Sequence, residues 1–228
     1  MRTNGRQSGF TLVEIAIVLV IIGLLLGGIL KGQEMITQAR IKNVINDFNG
    51  ISAAYFSYQD RYRAVPGDDA SAEGRWSAGT PAIVGNTSPT AANGIVEGIW
   101  NAPATALPGA ETRLFWWHLR LAGFIPGPTT PAQQASANPT NAFGSLIGVN
   151  AQTMGLGLSG LIVCSSGIPD KVAIAVDTQM DDQGSSTGSV RATGGAAGGT
   201  STDPVAGAVA AANYQETGSN IYIVCKGV

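Results

Sequence analysis

The stretch Ser8–Leu30, SGFTLVEIAIVLVIIGLLLGGIL, decides how the rest of this 228-residue chain is organised. From Phe10 to Leu30 it contains no proline and a single charged residue, Glu14. At about 1.5 Å per residue, a helix of this length spans roughly 30 Å, the thickness of the hydrocarbon core of a bilayer. The sequence therefore predicts a membrane-spanning helix that carries one carboxylate in need of an explanation.

The residues on either side of the apolar run predict its orientation. Arg2 and Arg6 precede it without any acidic residue, which places the N-terminus in the cytoplasm and sends the remainder across the inner membrane. A cleaved secretory signal is an alternative, but its apolar region has about 7 to 15 residues and a small-x-small site follows it. The run here is longer, and the charged stretch 31–34, KGQE, comes after it. A retained helix therefore fits better.

The leader and the start of the apolar run carry a family resemblance. A short basic leader ending in Gly9, then FTLVE at 10–14 and a long aliphatic run, resembles the N-terminal signal of type IV prepilins and type II secretion pseudopilins. The resemblance implies cleavage between Gly9 and Phe10 by a prepilin peptidase, N-methylation of the new Phe10 amine, and a role for Phe10 and Glu14 in assembly. Because Glu14 lies four residues after that cationic amine, it can neutralise the amine in its own chain or in a neighbouring subunit. The alternative is a carboxylate that reaches the membrane surface and has no role in assembly.

The resemblance implies an α+β, pilin-like fold. A long N-terminal helix, half membrane-spanning and half amphipathic, would pack on a C-terminal antiparallel β-sheet in a loop-rich domain. The expected organisation is a cleaved leader at 1–9, an assembly helix at 10–30, its amphipathic continuation at 31–63 and an exported globular domain at 64–228. Apolar residues beyond the membrane run agree, because they recur at steps of three and four and form one helical stripe: Ile41, Val44, Phe48, Ile51, Tyr55, Tyr58 and Tyr62. Pro66-Gly67 is expected to end this helix.

The remaining helices and loops are predicted from local signals. Residues 64–109 are rich in Gly, Ala, Pro, Ser and Thr, which indicates a long loop with little regular structure. Glu111–Phe124 predicts a short helix that Thr112 caps and Gly123 ends. Apolar residues four apart favour a helix at Asp170–Met180 over a strand in the same place.

The predicted sheet is antiparallel and its strands are short. Apolar and β-branched runs predict strands at Phe143–Val149, Leu161–Cys164 and Asn220–Lys226. Gly194–Gly199 is predicted to be part of a surface loop.

The two cysteines, Cys164 and Cys225, both lie in apolar, strand-like runs. They are expected to pair because an exported domain meets an oxidising compartment. The bond would close a loop of about 60 residues and contribute about 4 kcal/mol. Two free buried thiols are the alternative.

Three carboxylates, Asp177, Asp181 and Asp182, lie close together in the sequence and precede GSSTGSVRA at 184–192. The segment resembles one found in a group of prepilin-type proteins, in which a helix leads into Asp-Asp-Gly, although Gln183 stands before the glycine here. The three oxygen-bearing side chains could bind Ca²⁺. The favoured interpretation is that they are turn residues in contact with solvent, and no cofactor is expected.

No catalytic function is expected. His118, the only histidine, lies in an apolar-aromatic helix and is interpreted as a packed residue rather than a general base, and Trp116 and Trp117 are interpreted as core. No metalloprotease, nucleophile-elbow or phosphate-loop spacing occurs. The net charge of −2, without a basic cluster outside the leader, argues against nucleic acid as the main partner.

These observations predict a structural subunit of a type IV pilus-like filament. Before assembly it would be held in the bacterial inner membrane. Its partners would be copies of itself, related minor pilins, the prepilin peptidase and an inner-membrane assembly platform with a separate ATPase. After assembly it would be part of a cell-surface pilus or a periplasmic pseudopilus. That filament would serve adhesion, motility, DNA uptake or secretion. The alternatives are a type II secretion pseudopilin or minor pilin, and a single-pass membrane protein whose periplasmic domain binds a ligand.

Overall fold

The computed structural model describes residues 11–76, 92–102, 110–130, 137–151, 156–197 and 213–228. The chain forms two compact units, Met1–Ala39 and Arg40–Val228. The second contains the β-sheet, the shorter helices and the hydrophobic core.

The first helix, α1, runs over Leu12–Tyr62 without interruption. No proline interrupts this range, and its leucine, alanine, glutamine and lysine residues favour a helix. Among the described residues, α1 is the one helix that is long and apolar enough to cross a membrane, and none of its apolar window is buried within the protein. The predicted long N-terminal helix is confirmed.

α1 ends at Tyr62, one residue before the predicted end of the amphipathic segment at 63 and ahead of Pro66-Gly67, the expected stop signal. Arg63 adopts a positive φ of 54°, and its N–H donates to the carbonyl of Gln59 at 2.8 Å. A residue in the left-handed region turns the chain away from the helix axis, so the helix ends before the proline is reached.

In the second unit, the predicted apolar stripe faces the core. Tyr55 and Tyr62 are half-buried against the core. The remaining stripe members and Ala54 are buried: Ile41, Val44, Phe48, Ile51, Ala54 and Tyr58. Burying one large apolar side chain contributes about 1.5–3 kcal/mol, so this stripe is a principal source of the unit's stability.

The sheet has four strands: β1 (Ile147–Asn150), β2 (Ile162–Pro169), β3 (Val190–Ala197) and β4 (Asn220–Gly227). Their order is β1-β2-β4-β3, and each neighbouring pair is antiparallel, as predicted. Alternate residues along the strands face two different apolar clusters, one on each side of the sheet. Val149, Val163 and Val224 join the main core with α1, whereas Ile162 and Ile223 face a second cluster that contains Trp100 and Leu156.

The strand boundaries differ from the expectation by more than one residue in two places. β1 begins at Ile147 rather than Phe143, because Asn141 Oδ1 accepts the N–H groups of Phe143 (2.9 Å) and Ser145 (3.1 Å) and holds a turn. β2 continues past Cys164 to Pro169, with a register shift between Ser165 and Ile168 in its pairing with β4.

β3 was not predicted, and the assignment of Gly194–Gly199 to a surface loop is wrong for the part that is described. Gly194, Ala196 and Ala197 pair with β4, with a register shift between Gly194 and Ala196. Small residues carry little strand signal of their own, and the backbone of β4 supplies the hydrogen bonds that select this conformation.

Two further helices precede the sheet. α2 (Ala72–Trp76) is a short helix within the predicted loop, where residues 77–91 and 103–109 lie outside the described part. α3 (Glu111–Leu121) is buried on all sides from Glu111 to Arg120. Thr112 does not cap α3: the cap position is Ala110, and the Thr112 hydroxyl donates to the carbonyl of Ile99 at 3.0 Å.

Gly123 ends α3, as predicted, although the helix stops at Leu121 rather than Phe124. Gly123 has a φ of 76°, and its N–H donates to the carbonyl of Arg120 at 3.0 Å. The N–H of Phe124 donates to Leu119 at 3.0 Å, which completes a Schellman motif. The last helix of the described chain, α4 (Asp170–Met180), confirms the choice of helix over strand.

Candidate functional site

The residues at the predicted cleavage site, Gly9 and Phe10, lie outside the described residues. Cleavage, N-methylation and the pairing of Phe10 with Glu14 therefore stay predictions. Glu14 itself is described, in the first turn of α1.

The Glu14 carboxylate is held by Thr11. The backbone N–H of Thr11 donates to Oε2 of Glu14 at 2.8 Å, and the Thr11 hydroxyl donates to the same oxygen at 2.9 Å. In return, the N–H of Glu14 donates to Thr11 Oγ1 at 3.3 Å. This reciprocal arrangement is a capping box, and it gives the carboxylate two donors while leaving its negative charge in place. The T-x-x-E spacing is a readable signature that the sequence analysis missed.

The helix surface after Glu14 is apolar and exposed. Each residue from Leu12 to Leu30 is exposed, with Leu12 at 86% and Leu24 at 74%. A continuous apolar surface of this kind requires lipid or other apolar helices around it. It ends at Lys31, whose ammonium group pairs with Glu34 at 2.8 Å.

A comparison with protein families identifies this segment. Residues 4–30 match the family model described as the prokaryotic N-terminal methylation motif. The chain carries the signature of type IV pilins and pseudopilins. The family resemblance inferred from the sequence is thereby confirmed over the leader and the first part of α1. No curated protein and no solved structure matches the chain.

Beyond the methylation motif, the structure contains the predicted disulfide between Cys164 and Cys225. The two residues are direct partners in the β2–β4 ladder, with their Cα atoms 4.0 Å apart. Both are fully buried in the second apolar cluster together with Trp100. The bond therefore clamps the C-terminal strand to the middle of the sheet, in a position that solvent does not reach.

The structure brings together the three carboxylates of Asp177, Asp181 and Asp182, here called the acidic cluster. One oxygen of each lies within 4.8 Å of the others. Asp177 is fully buried and accepts from the N–H of Gln183 at 2.9 Å and from the hydroxyl of Tyr214 at 2.7 Å. The cluster therefore joins α4 to the segment that precedes β4.

The other two members of the acidic cluster organise the turn before β3. Asp181 accepts from the N–H of Val190 at 2.8 Å and from that of Ser189. Asp182 accepts from the N–H of Gly184 at 2.9 Å and from the hydroxyl of Thr187 at 2.7 Å. These contacts agree with the interpretation of Asp181 and Asp182 as turn aspartates, but the interpretation is wrong for Asp177, which is buried within α4.

The electrostatics of the acidic cluster follow from the burial of Asp177 and from the hydrogen bonds that Asp182 accepts. Burial raises the pKa of Asp177, an effect that the charges of Asp182 and Asp181 increase and the Tyr214 and Gln183 hydrogen bonds oppose. The hydroxyl of Thr187 and the N–H of Gly184 lower the pKa of Asp182. The donor set is entirely oxygen, as Ca²⁺ prefers, but the ion takes six to eight ligands and these oxygens already accept protein hydrogen bonds. Calcium binding therefore stays the untested alternative to the interpretation without a metal.

Asp170, at the first position of α4, has a structural role that the sequence analysis missed. Its Oδ2 accepts from the backbone N–H groups of Thr217 (2.8 Å) and Gly218 (2.6 Å). Its Oδ1 accepts from the backbone N–H of Lys171 at 2.7 Å. Burial alone raises the pKa of Asp170, but the N–H groups of Lys171, Gly218 and Thr217 outweigh it, so the pKa is lowered. The ionised carboxylate thus fixes the turn from which β4 starts.

His118 is packed, as expected. The N–H of Gly67 donates to Nδ1 of His118 at 3.0 Å, so the neutral ring carries its proton on Nε2. Burial, helped by the charge of Arg75, lowers the pKa of His118 to about 3. The ring is neutral at physiological pH and its acceptor nitrogen is occupied, which makes it unsuitable as a general base. Trp116 and Trp117 are buried, in agreement with their interpretation as core residues.

Proposed function

We propose that this protein is the structural subunit of a type IV pilus-like filament. The observation that carries the proposal is the helix surface from Leu12 to Leu30, which is exposed over its whole length and lies within the methylation motif at residues 4–30. Lipid would cover that surface before assembly, and the same helices of other copies would cover it afterwards. The role is mechanical, without an enzymatic activity.

Processing would create the charge that Glu14 requires. The capping box supplies two hydrogen bonds to the carboxylate but no positive charge. Cleavage after Gly9 produces a cationic, N-methylated amine on Phe10, which can neutralise Glu14 of its own chain or of the next subunit. The cost of a charged residue at the centre of a membrane helix is about 2.5–3.5 kcal/mol on insertion scales, an upper guide for a residue so near the helix end. An ion pair in a low dielectric can offset a cost of this size.

The proposal specifies location and partners. The subunit would start in the bacterial inner membrane with its leader in the cytoplasm, where a prepilin peptidase would cleave and methylate it. An assembly platform driven by a separate ATPase would extract it into a polymer with copies of itself and related minor pilins. The polymer would be a pilus on the cell surface or a pseudopilus in the periplasm.

The alternatives share part of this description. A type II secretion pseudopilin or a minor pilin carries the same N-terminal motif and would also be cleaved after Gly9. A single-pass anchored protein with a ligand-binding periplasmic domain would keep Met1 and would not polymerise. The terminus of the membrane-extracted protein therefore separates the anchor from the filament subunits.

The test of assembly is Glu14→Ala, compared with Glu34→Ala as the matched control on the same helix. Glu34 is exposed and pairs with Lys31, so its loss removes a surface ion pair worth at most about 1 kcal/mol. We expect Glu14→Ala to reduce sheared filament at least about tenfold, the equivalent of roughly 1.4 kcal/mol, and Glu34→Ala to assemble normally. Normal filament yield from Glu14→Ala would contradict the proposal.

A further inference from the structure

A groove of 340 Å³ in the second unit lies between α1, the segment after α3 and the segment before β1. Its lining is apolar apart from Asn46, Asp47 and Thr140, and Ile51, Pro126 and Ile147 are among its walls. This volume is at the small end of the range in which proteins bind ligands or partner side chains.

The carboxylate of Asp47 is the charged group of this groove. It is half-buried, and among the described residues it has neither a hydrogen-bond donor nor an ion-pair partner. Burial raises the pKa of Asp47, and no hydrogen bond opposes the effect. A partly desolvated carboxylate without a donor is an unfavourable arrangement that a cation placed beside it would relieve.

A second unsatisfied group belongs to the same lining. Trp116 is fully buried, and its indole Nε1–H has no acceptor. Most buried polar side-chain atoms in proteins have a partner, so an unsatisfied indole N–H in the lining of this groove is unusual. The groove thus combines apolar walls with an acceptor that lacks a donor and a donor that lacks an acceptor.

The cations of the described chain are engaged elsewhere, with two exceptions. Lys31 pairs with Glu34, and Lys226 donates to Asn49. The arginines contact aromatic rings, a carboxylate or carbonyls, or are buried in α3: Arg40, Arg61, Arg63, Arg75, Arg113, Arg120 and Arg191. Lys42 and Lys171 are exposed, and among the described residues their ammonium groups have no partner.

We propose that this groove receives a lysine side chain from a second copy of the chain, with its ammonium group against Asp47 and its alkyl stem along Ile51 and Ile147. The donor is Lys42 or Lys171. A lysine combines a cation with a four-carbon apolar stem, which matches a carboxylate at an apolar groove. Neither lysine pairs with Asp47 within its own chain, so in this proposal a neighbouring copy supplies the cation. This inference rests on the proposed polymer.

Zero-length carbodiimide cross-linking tests the contact, because it joins a carboxylate to an amine only when the two touch. Filaments assembled from a mixture of unlabelled and ¹⁵N-labelled full-length protein would be cross-linked, digested and analysed by mass spectrometry. We expect a peptide pair that joins Asp47 to Lys42 or Lys171, with mixed isotope labels that prove a contact between copies. Asp47→Asn should reduce this pair at least tenfold. Asp60→Asn, which removes an exposed carboxylate of the same helix, should leave it unchanged.

A charge exchange provides the second measurement. Asp47→Lys should reduce filament yield. A second substitution in the same chain at the lysine that occupies the groove, Lys42→Asp or Lys171→Asp, should restore the yield. Well-formed filaments in which Asp47 yields no lysine cross-link, or only pairs with a single label, would overturn the groove assignment and leave the proposed function intact. A chain that keeps Met1 and never polymerises would overturn both.

Discussion

Removal of the Cys164–Cys225 disulfide should lower the free energy of unfolding by an amount that follows from the structure. The two cysteines are 61 residues apart in sequence, and both are fully buried. The loop-closure model gives about 4 kcal/mol for a cross-link over this length, because the bond restricts the unfolded chain more than the folded one. The variant is Cys164→Ala/Cys225→Ala, since serine would bury two hydroxyl groups without partners.

The assay is urea unfolding of the full-length protein in detergent micelles, followed by tryptophan fluorescence. Trp100 packs in the same cluster as the disulfide and reports on this part of the core. We expect a loss of about 4 kcal/mol, which is a fall of roughly 2 M in the urea midpoint for a slope of about 2 kcal/mol per molar. Reduced wild-type protein is the control and should unfold with the variant. A loss below about 1 kcal/mol would refute the idea that the bond is the clamp for β4.

Three further predictions concern the contacts of α4. Asp170→Asn should cost about 2 kcal/mol at pH 7, because hydrogen bonds to a charged group are replaced by weaker ones. Since the folded pKa of Asp170 is lowered, its stabilisation is present above the unfolded pKa near 4 and is lost as pH falls through the folded value, so wild-type stability should fall more steeply than that of the variant between pH 5 and pH 2. Tyr214→Phe removes a donor to buried Asp177 and should cost about 1–3 kcal/mol in urea unfolding; a cost no larger than that of Tyr62→Phe would contradict this. If the acidic cluster binds calcium, a chelator should lower the melting temperature of the purified protein, and an unchanged value would exclude the site.

The parts of the fold that could be predicted are those with a local signal. The apolar run and the stripe that starts at Ile41 have a period that can be read directly, and α4 shows the same spacing. β3 has no such signal, because glycine and alanine have low strand preference and this segment is selected by pairing with β4. The cap of α3 was misjudged for a related reason: Thr112 is engaged by the carbonyl of Ile99, which is distant in sequence.

The residues of the candidate site also divide into those with a local sequence signal and those whose contacts are distant in sequence. Glu14 is conspicuous as a charge in an apolar run, and its T-x-x-E partner Thr11 is equally local, so both could be read from the sequence. The contacts of Asp170 with Thr217 and of Asp177 with Tyr214 span 47 and 37 residues. Such pairs depend on how the strands bring α4 to the turn before β4, which no local pattern reports.

The central claim is that this chain is processed after Gly9 to expose an amine that Glu14 then neutralises during polymerisation. Mass spectrometry of the N-terminal peptide from membrane-extracted and filament-derived protein tests it most directly. The account predicts a peptide that begins with Phe10 and carries one additional methyl group on its amine. An intact Met1 terminus, or an unmethylated terminus at any other residue, would contradict it.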